Sequence, residues 1–412
     1  MVCGSRHDIR ILMMTFSYRT KQHIHVQLDQ LNPLGKGGEG SVYSVINTPN
    51  YPNHCAKIFH PNRLTADLER KINFMVDNQP STLISTNYRI AWPIASLYHN
   101  KKFYGFIMPK AFDKSIGLER VTQPQISLKG IDTQWIKYQR NDKQGMINCF
   151  KVCVNIAFIV NLIHQMKKYT FVDLKPQNIL VNLNGFVSIT DIDSMQVYDP
   201  QKNLYYKSVV STAEYSPPEY QSYLKKGGNI TQEWDNFSMA VIFYQLMTGV
   251  HPFAATFGGK FSNSTTIDDH ISQSLFVFGD NRQTITKLPP LHTYYQQIPL
   301  NIQQLFLRAF DKPVSQRPTA EEWGQNLFEL VSKDSHLIAS NTAVAALALP
   351  VKSALKPAAQ STTGHVQMFQ LTKASTHSQG SQSTKAPHKS YAWVGWLIVL
   401  VCIIVVIAVA NA

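Results

Sequence analysis

The spacing of apolar and polar positions changes along the chain. Residues 24–47 alternate around a glycine cluster, the period-two signature of two strands joined by a loop. CAKIFH at 55–60 reads as a third strand and KFYGFIMP at 102–109 as another. Between them, Thr65 to Val76 places Leu68, Ile72 and Met75 at helical spacing. A largely polar stretch runs to about Gly145, and then the period lengthens. Met146 to Lys167 is a strongly apolar helix, FVSIT at 186–190 a short strand, and Asp235 to Thr248 a buried helix. Further helices continue to about Val331. Strands first and helices later predict an α+β fold with a small β-rich lobe and a larger α-rich lobe.

The last part of the chain breaks this pattern. Residues 333–390 are rich in Ser, Thr, Gln, Ala and Lys, with few large apolar side chains, and read as a disordered basic linker. Its lysines would hold it near an anionic leaflet, or it is an inert spacer. Residues 393–410, WVGWLIVLVCIIVVIAVA, are uncharged and span about 27 Å as a helix, the thickness of a hydrocarbon core. A transmembrane tail anchor is therefore expected over 391–412. Tyr391, Trp393 and Trp396 would lie at the interface, and Lys385 and Lys389 would keep the preceding chain on the cytoplasmic side of the membrane. Residues 1–26 form an N-terminal extension without the long apolar run of a signal peptide; Met13 and Met14 are alternative starts.

Composition changes this picture in two respects. Of 412 residues, 44% are hydrophobic and 16% charged, so the patterned part is globular. A net charge of +13 favours anionic surfaces, but no stacking motif or zinc spacing accompanies it, and no nucleic-acid partner is expected. Cys3, Cys55, Cys149, Cys153 and Cys402 form no disulfide framework or metal spacing, which fits a reducing compartment. Cys149 and Cys153 share a helix face, where packing is the plain reading.

The chemistry is concentrated in a few motifs. LGKGGEGSV holds Gly35-x-Gly37-x-x-Gly40 between two strands. Such glycines allow positive φ and let backbone N–H groups approach phosphate oxygens, although a glycine-rich hairpin turn is the simpler alternative. Lys57, flanked by Ala56 and Ile58, is either an exposed strand lysine or the partner of an anion. YTFVDLKPQN supplies Asp173, Lys175 and Asn178, and SITDIDS supplies Asp191. Asn178 and Asp191 are hard oxygen ligands suited to Mg²⁺ or Mn²⁺ beside substrate phosphates. Asp173 could take or orient the proton of an attacking hydroxyl, and Lys175 could neutralise charge on a transferred phosphoryl group.

In this order the motifs resemble eukaryotic-type (Hanks-type) serine/threonine protein kinases over residues 27–332, with an N-lobe of about 27–110 and a C-lobe of about 111–332. The resemblance implies a two-lobed protein kinase-like fold that uses ATP and Mg²⁺ (or Mn²⁺) on protein Ser/Thr hydroxyls. It makes Gly35, Lys36, Gly37, Gly38, Gly40 and Val42 the phosphate loop and Lys57 the phosphate-anchoring strand lysine. Met108 becomes the gatekeeper, with the Pro109 carbonyl and Ala111 N–H facing adenine. TAEYSPPEY at 212–220 resembles the end of an activation segment, which implies that Thr212 meets Asp173 and Lys175. EWDNFSMA makes Asp235 the buried brace of the catalytic loop. QRPTAEEW places Arg317 in an ion pair with Glu219. The SPPE and RPTAEEW stretches separate the chain from aminoglycoside-type small-molecule kinases.

Three departures stand out. Glu69 is the candidate helix partner of Lys57, but Asn73 follows where an apolar residue is usual. If Met75 fills that apolar position instead, Lys71 takes the glutamate slot. Asp193 replaces the glycine of Asp-Phe-Gly and should restrict the segment's backbone. Phe171-Val172 replaces His-Arg, so Val172 cannot receive an activation-loop phosphate, and phosphorylation of Ser208 or Ser211 should not be required through that route. Phe171 should pack in the apolar interior. The leading reading is a membrane-tethered serine/threonine kinase. The alternative is a catalytically weak pseudokinase serving as a membrane-anchored, nucleotide-binding scaffold. Partners implied are ATP, protein substrates and a lipid bilayer, with self-association left open.

Overall fold

The structure, a computed structural model, describes residues 12–17, 23–29, 31–208 and 210–332, with side-chain environments from Val26 onward. The expected linker and membrane anchor lie outside the described residues.

Strands β1 (Leu12–Ser17), β2 (His23–Leu28), β3 (Gly35–Lys36), β4 (Gly40–Ile46) and β5 (His54–Phe59) precede helix α1 (Ala66–Asp77). Strands β6 (Tyr88–Ile90), β7 (Ala95–His99) and β8 (Lys102–Pro109) follow it. The large sheet runs β2-β1-β7-β8-β5-β4-β3, and β2 also pairs with β4, so the sheet closes on itself. Within the stretch read as an N-terminal extension, β1 pairs with β2 and meets β7 at Thr15 and Tyr98. Strand alternation then sorts side chains to two sides. Ala56, Ile107, Ala95 and Leu97 join Val26 and Leu28 in one apolar cluster. Cys55, Phe59, Phe106 and Met108 belong to the larger core shared with α1 and the helical lobe. Lys57, in phase with Cys55 and Phe59, points to that second side. A Cβ on Gly40 would lie 2.2 Å from the Ile58 carbonyl oxygen, so close strand approach requires glycine there.

The second lobe begins with β9 (Ile116–Gly117) and two short 3-10 segments, Leu118–Arg120 and Thr133–Tyr138. Helix α2 (Lys143–His164) starts three residues before the expected Met146, because Asp142 caps it by accepting from Gly145 N–H at 2.7 Å. The helix is apolar on nearly all sides and 78% of its most apolar window is buried. By length and composition it could cross a membrane, but it forms the centre of this lobe. Cys149 and Cys153 are buried on it, and burial pushes the Cys149 thiol up to about 11, consistent with packing. Short strands β10 (Tyr169–Thr170), β11 (Ile179–Val181), β12 (Val187–Ile189), β13 (Gln196–Asp199) and β14 (Leu204–Tyr206) follow. Strand β12 runs parallel to β6, which ties the lobes together, and antiparallel to β11. Helices α3 (Tyr220–Lys226) and α4 (Gln232–Thr248) come next, and then β15 (Thr256–Phe257), α5 (Ile267–Ser272), β16 (Ile285–Lys287), α6 (Leu300–Asp311) and α7 (Ala320–Ser332).

The polar stretch before α2 is tied in by Arg140, which is 1% exposed. Its guanidinium donates to the carbonyls of Gln123 at 2.9 Å and Leu246 at 2.7 Å. Leu246 sits in the last turn of α4, where unpaired carbonyls and the helix dipole favour a cation. Burial lowers the pKa of this arginine, and the carbonyls replace water around it. Arg140→Met should lower unfolding stability by about 2–4 kcal/mol, because buried carbonyls lose a charged donor. Urea titration of the purified chain measures this.

Candidate active site

The loop between β10 and β11 is held by one buried carboxylate. Asp235 lies in the first turn of α4, fully buried. Its oxygens accept the backbone N–H of Phe171 at 2.8 Å and of Val172 at 2.9 Å, and His164 Nε2 at 2.9 Å. These bonds hold Val172 at φ 67°, a left-handed conformation costly for a β-branched residue. Trp234 Nε1 donates to the Val172 carbonyl at 3.0 Å, and the Val172 side chain packs with Trp234 and Ile230. The position therefore offers a buried isopropyl group and no anion receptor. Phe171 is 4% exposed within the main core.

The reversed chain direction aims Asp173 into a polar group. Asp173 Oδ1 accepts from Thr212 Oγ1 at 2.7 Å, and Oδ2 lies 2.8 Å from Lys175 Nζ. Lys175 Nζ also donates to Thr212 Oγ1 at 2.9 Å, and Asn178 Nδ2 donates to the Asp173 carbonyl at 2.9 Å. Thus Asp173, Lys175, Asn178 and Thr212 meet as the motif order implied. Glu219 and Arg317 form a two-pronged ion pair at 2.7 and 2.8 Å, with the Arg317 guanidinium over the Phe237 ring.

Across the cleft, a cavity of about 440 Å³ is lined by Val42, Lys57, Met108, Pro109, Ala111 and Asp191, among others. An adjoining recess of about 220 Å³ lies under the glycine turn from Gly35 to Gly40, bordered by Lys36, Lys57 and Asp191. The turn departs from expectation in one respect: none of Gly35, Gly37, Gly38 and Gly40 has positive φ. A Cβ on Gly35 or Gly38 would meet nothing within 4 Å, so the use of glycine there is open space along the backbone. The hinge is fastened by a residue the sequence reading did not identify. Arg89 Nη1 donates to the carbonyls of Lys110 at 2.9 Å and Ala111 at 3.1 Å, and its guanidinium stacks on Phe112 at 4.4 Å. Its position in the short strand YRI is the only signal, a lone cation between apolar neighbours.

Glu69 requires a correction. It does not pair with Lys57; its Oε1 accepts from Tyr98 Oη at 2.9 Å. The next turn of α1 makes the same choice, with Asn73 Oδ1 accepting from Ser96 Oγ at 2.6 Å. Ser96 and Tyr98 face α1 because Ala95 and Leu97 alternate to the other side of β7. Lys71, Ile72, Met75 and Val76 are the buried residues on α1, and Glu69 is not among them. Lys57 Nζ lies 2.9 and 2.7 Å from the two oxygens of Asp193, 3.3 Å from Asp191 and 3.5 Å from Glu39. Burial by itself would lower the Lys57 ammonium, but Asp193 and Asp191 outweigh it and hold it above the ordinary lysine range. Lys71 Nζ donates to the Asp193 carbonyl at 2.7 Å. Burial pushes Lys71 down to about 8 against the opposing pull of Asp193 and Glu39.

A profile of the protein kinase domain family matches residues 28–328, nearly all of the described chain. The chain belongs to the protein kinase domain family. It is 30% identical over 170 residues to a probable serine/threonine-protein kinase of Clostridium perfringens, covering 41% of this chain and 22% of that one. It is 23% identical over 203 residues to the probable serine/threonine-protein kinase PknB of Lactococcus lactis, covering 49% and 29%. Rat myosin light chain kinase 2 is 34% identical over 118 residues, covering 28% and 18%. The chain thus spans less than a third of the length of these relatives.

Membership implies ATP and a divalent metal, usually Mg²⁺, and the donor set fits both. Asn178 donates through its amide nitrogen and leaves its oxygen available, and the Asp191 side chain is 51% exposed toward the cleft. Two hard oxygens beside a recess under an open glycine turn suit a cation shared with phosphates.

Asp235→Asn should cost about 2–4 kcal/mol of stability, because an amide offers one acceptor where two backbone N–H groups and His164 converge. Urea unfolding followed by tryptophan fluorescence checks it.

Proposed function

We propose that this kinase domain is catalytically active and transfers the γ-phosphoryl group of ATP to Ser or Thr hydroxyls of proteins, tethered to a membrane by residues 391–412. The observation that carries the catalytic part is the Asp173–Lys175–Thr212 triangle, with all contacts between 2.7 and 2.9 Å. Asp173 accepts the proton of the attacking hydroxyl as its oxygen bonds to phosphorus and the bond to the departing ADP oxygen breaks. Lys175 offsets charge developing on the transferred group. Lys57 and the backbone of residues 35–40 orient the phosphates. Bound Mg²⁺, held by Asn178 and Asp191, would neutralise phosphate charge and shape the polyphosphate. The Pro109 carbonyl and Ala111 N–H are offered to adenine, with Met108 at the back of the cavity.

Serine or threonine as acceptor is supported by Lys175 two residues after Asp173 and by the similarity to bacterial serine/threonine kinases. A scaffold without catalysis would not need Asp173, Lys175 and Thr212 to converge. The membrane tether rests on the 18 uncharged residues 393–410 and places the kinase domain on the cytoplasmic side.

Two experiments test the parts separately. Radiolabelled ATP with Mg²⁺ and a generic basic protein should label serine and threonine, and Asp173→Asn should reduce this by about 1,000-fold or more, the usual scale for loss of a catalytic base or nucleophile-orienting group. Label that survives that substitution overturns the role of Asp173. Truncation after Ser390 should leave activity and move the protein from the membrane pellet to the soluble fraction; a truncated chain still in the pellet removes the anchor.

A further inference from the structure

We propose that Asp193 is the carboxylate that positions Lys57 for nucleotide, in place of a glutamate on helix α1, and that Lys71 fastens the helix to it. This deepens the kinase reading above and rests on it.

The geometry has three parts. First, the Lys57 ammonium faces both oxygens of Asp193, at 2.9 and 2.7 Å, closer than Asp191 or Glu39. The two side chains are 6% and 2% exposed, so the pair is shielded from water and Asp193 fixes where the ammonium sits. Second, α1 brings no carboxylate to this point. Asp67 pairs with Arg70, Glu69 bonds to Tyr98, and Asp77 lies in the helix's last turn. Third, α1 does bring a cation. Lys71 is buried and donates to the Asp193 backbone carbonyl at 2.7 Å. Helix, turn and strand are thus linked as Lys71–Asp193–Lys57, with the carboxylate on the turn.

The arrangement changes what controls the site. Asp193 lies in a 3-10 turn, Ile192–Ser194, whose start is Asp191 in a left-handed conformation at φ 54°. Ser194 closes the turn through Oγ and N–H bonds to the Asp191 carbonyl at 2.7 and 3.1 Å. The Lys57 partner and the candidate metal ligand therefore sit two residues apart on one small unit. Reorienting that turn withdraws both together. Moving α1 withdraws only Lys71 and leaves the Lys57–Asp193 pair in place. A glycine at 193 would supply no carboxylate and would loosen the turn, which accounts for an aspartate at a position where the family resemblance predicts glycine.

The test relocates the charge in the full-length chain. Asp193→Gly and Asp193→Asn should each lower kcat/KM for ATP by about 100-fold, the scale of a misplaced anchoring group, with the KM for ATP raised and the fluorescent ATP analogue bound more weakly. Lys71→Glu combined with Asp193→Gly puts a carboxylate on the helix and removes it from the turn. It should recover at least about tenfold over Asp193→Gly alone, which lost packing by itself would not allow. Melting curves show that each variant is folded. If Asp193→Gly does not fold, the double variant is compared with Lys71→Glu alone, which leaves two carboxylates at the pair and should be weaker than the double. Full activity in Asp193→Gly, no recovery in the double variant, or an equal loss in Glu69→Ala overturns the assignment. A natural chain that binds the analogue but transfers no phosphate ends the kinase reading alone; analogue affinity in the same variants then still decides Asp193. A chain that binds no nucleotide overturns both.

Discussion

Asp235 is the constraint on which the candidate active site depends. It is a carboxylate without access to water, at the positive end of a buried helix, with two backbone N–H groups and one imidazole pointed at it. A buried charge of this kind is tolerated only when hydrogen-bond donors take the place of water around it. Satisfying it requires the chain at 171–172 to turn sharply, and the turn forces Val172 into positive φ. The strain is compensated by those hydrogen bonds, by Trp234 on the carbonyl side and by apolar packing around the valine. The direction in which Asp173 emerges follows from that turn.

A second set of charges connects the β-rich part of the site to the turn after β12. Lys57 reaches across from the sheet to Asp191 and Asp193, and Lys71 reaches the same turn from α1. Two buried ammonium groups so close are stable only because carboxylates and a carbonyl lie between them. The opposite fates of the two lysines follow: the one with the carboxylates nearest is held charged, and the other is pushed down by burial. Arg89 plays a similar part at the hinge, where a guanidinium holds two carbonyls in line beneath the nucleotide-sized cavity. At Arg89, Arg140 and Lys71 a buried or half-buried cation reaches a backbone carbonyl, and at Asp235 a carboxylate reaches backbone N–H groups.

Much of this was legible from the residues alone. Periodicity located β4, β5, β8, α1, α2 and α4, because short apolar runs bounded by turn residues and apolar positions at helical spacing leave strong local patterns. Asp173, Lys175, Asn178 and Thr212 meet in one group, and Glu219 pairs with Arg317 in another. Strands β1 and β7 were not foreseen. The first is a short apolar run among charges, and the alternation of ASLYH is blurred by a buried serine and a half-buried tyrosine. The expectation of positive φ in the glycine turn also gave way: Gly35 and Gly38 face open space, and Gly40 is required by the close approach of the Ile58 carbonyl.

The sequence by itself determined the family and the order of the two lobes, since these depend on local pattern and on the order of the motifs. Only the tertiary structure decided which carboxylate serves Lys57. Glu69, Asp191 and Asp193 are equivalent as charges in a string of letters. The phase of β7 settles the matter, by turning two hydroxyls toward α1 and so occupying Glu69 and Asn73. The winding of residues 192–194 then brings Asp193 beneath the lysine. Partner choice among like charges is a question of direction and distance, and those exist only after the chain has packed.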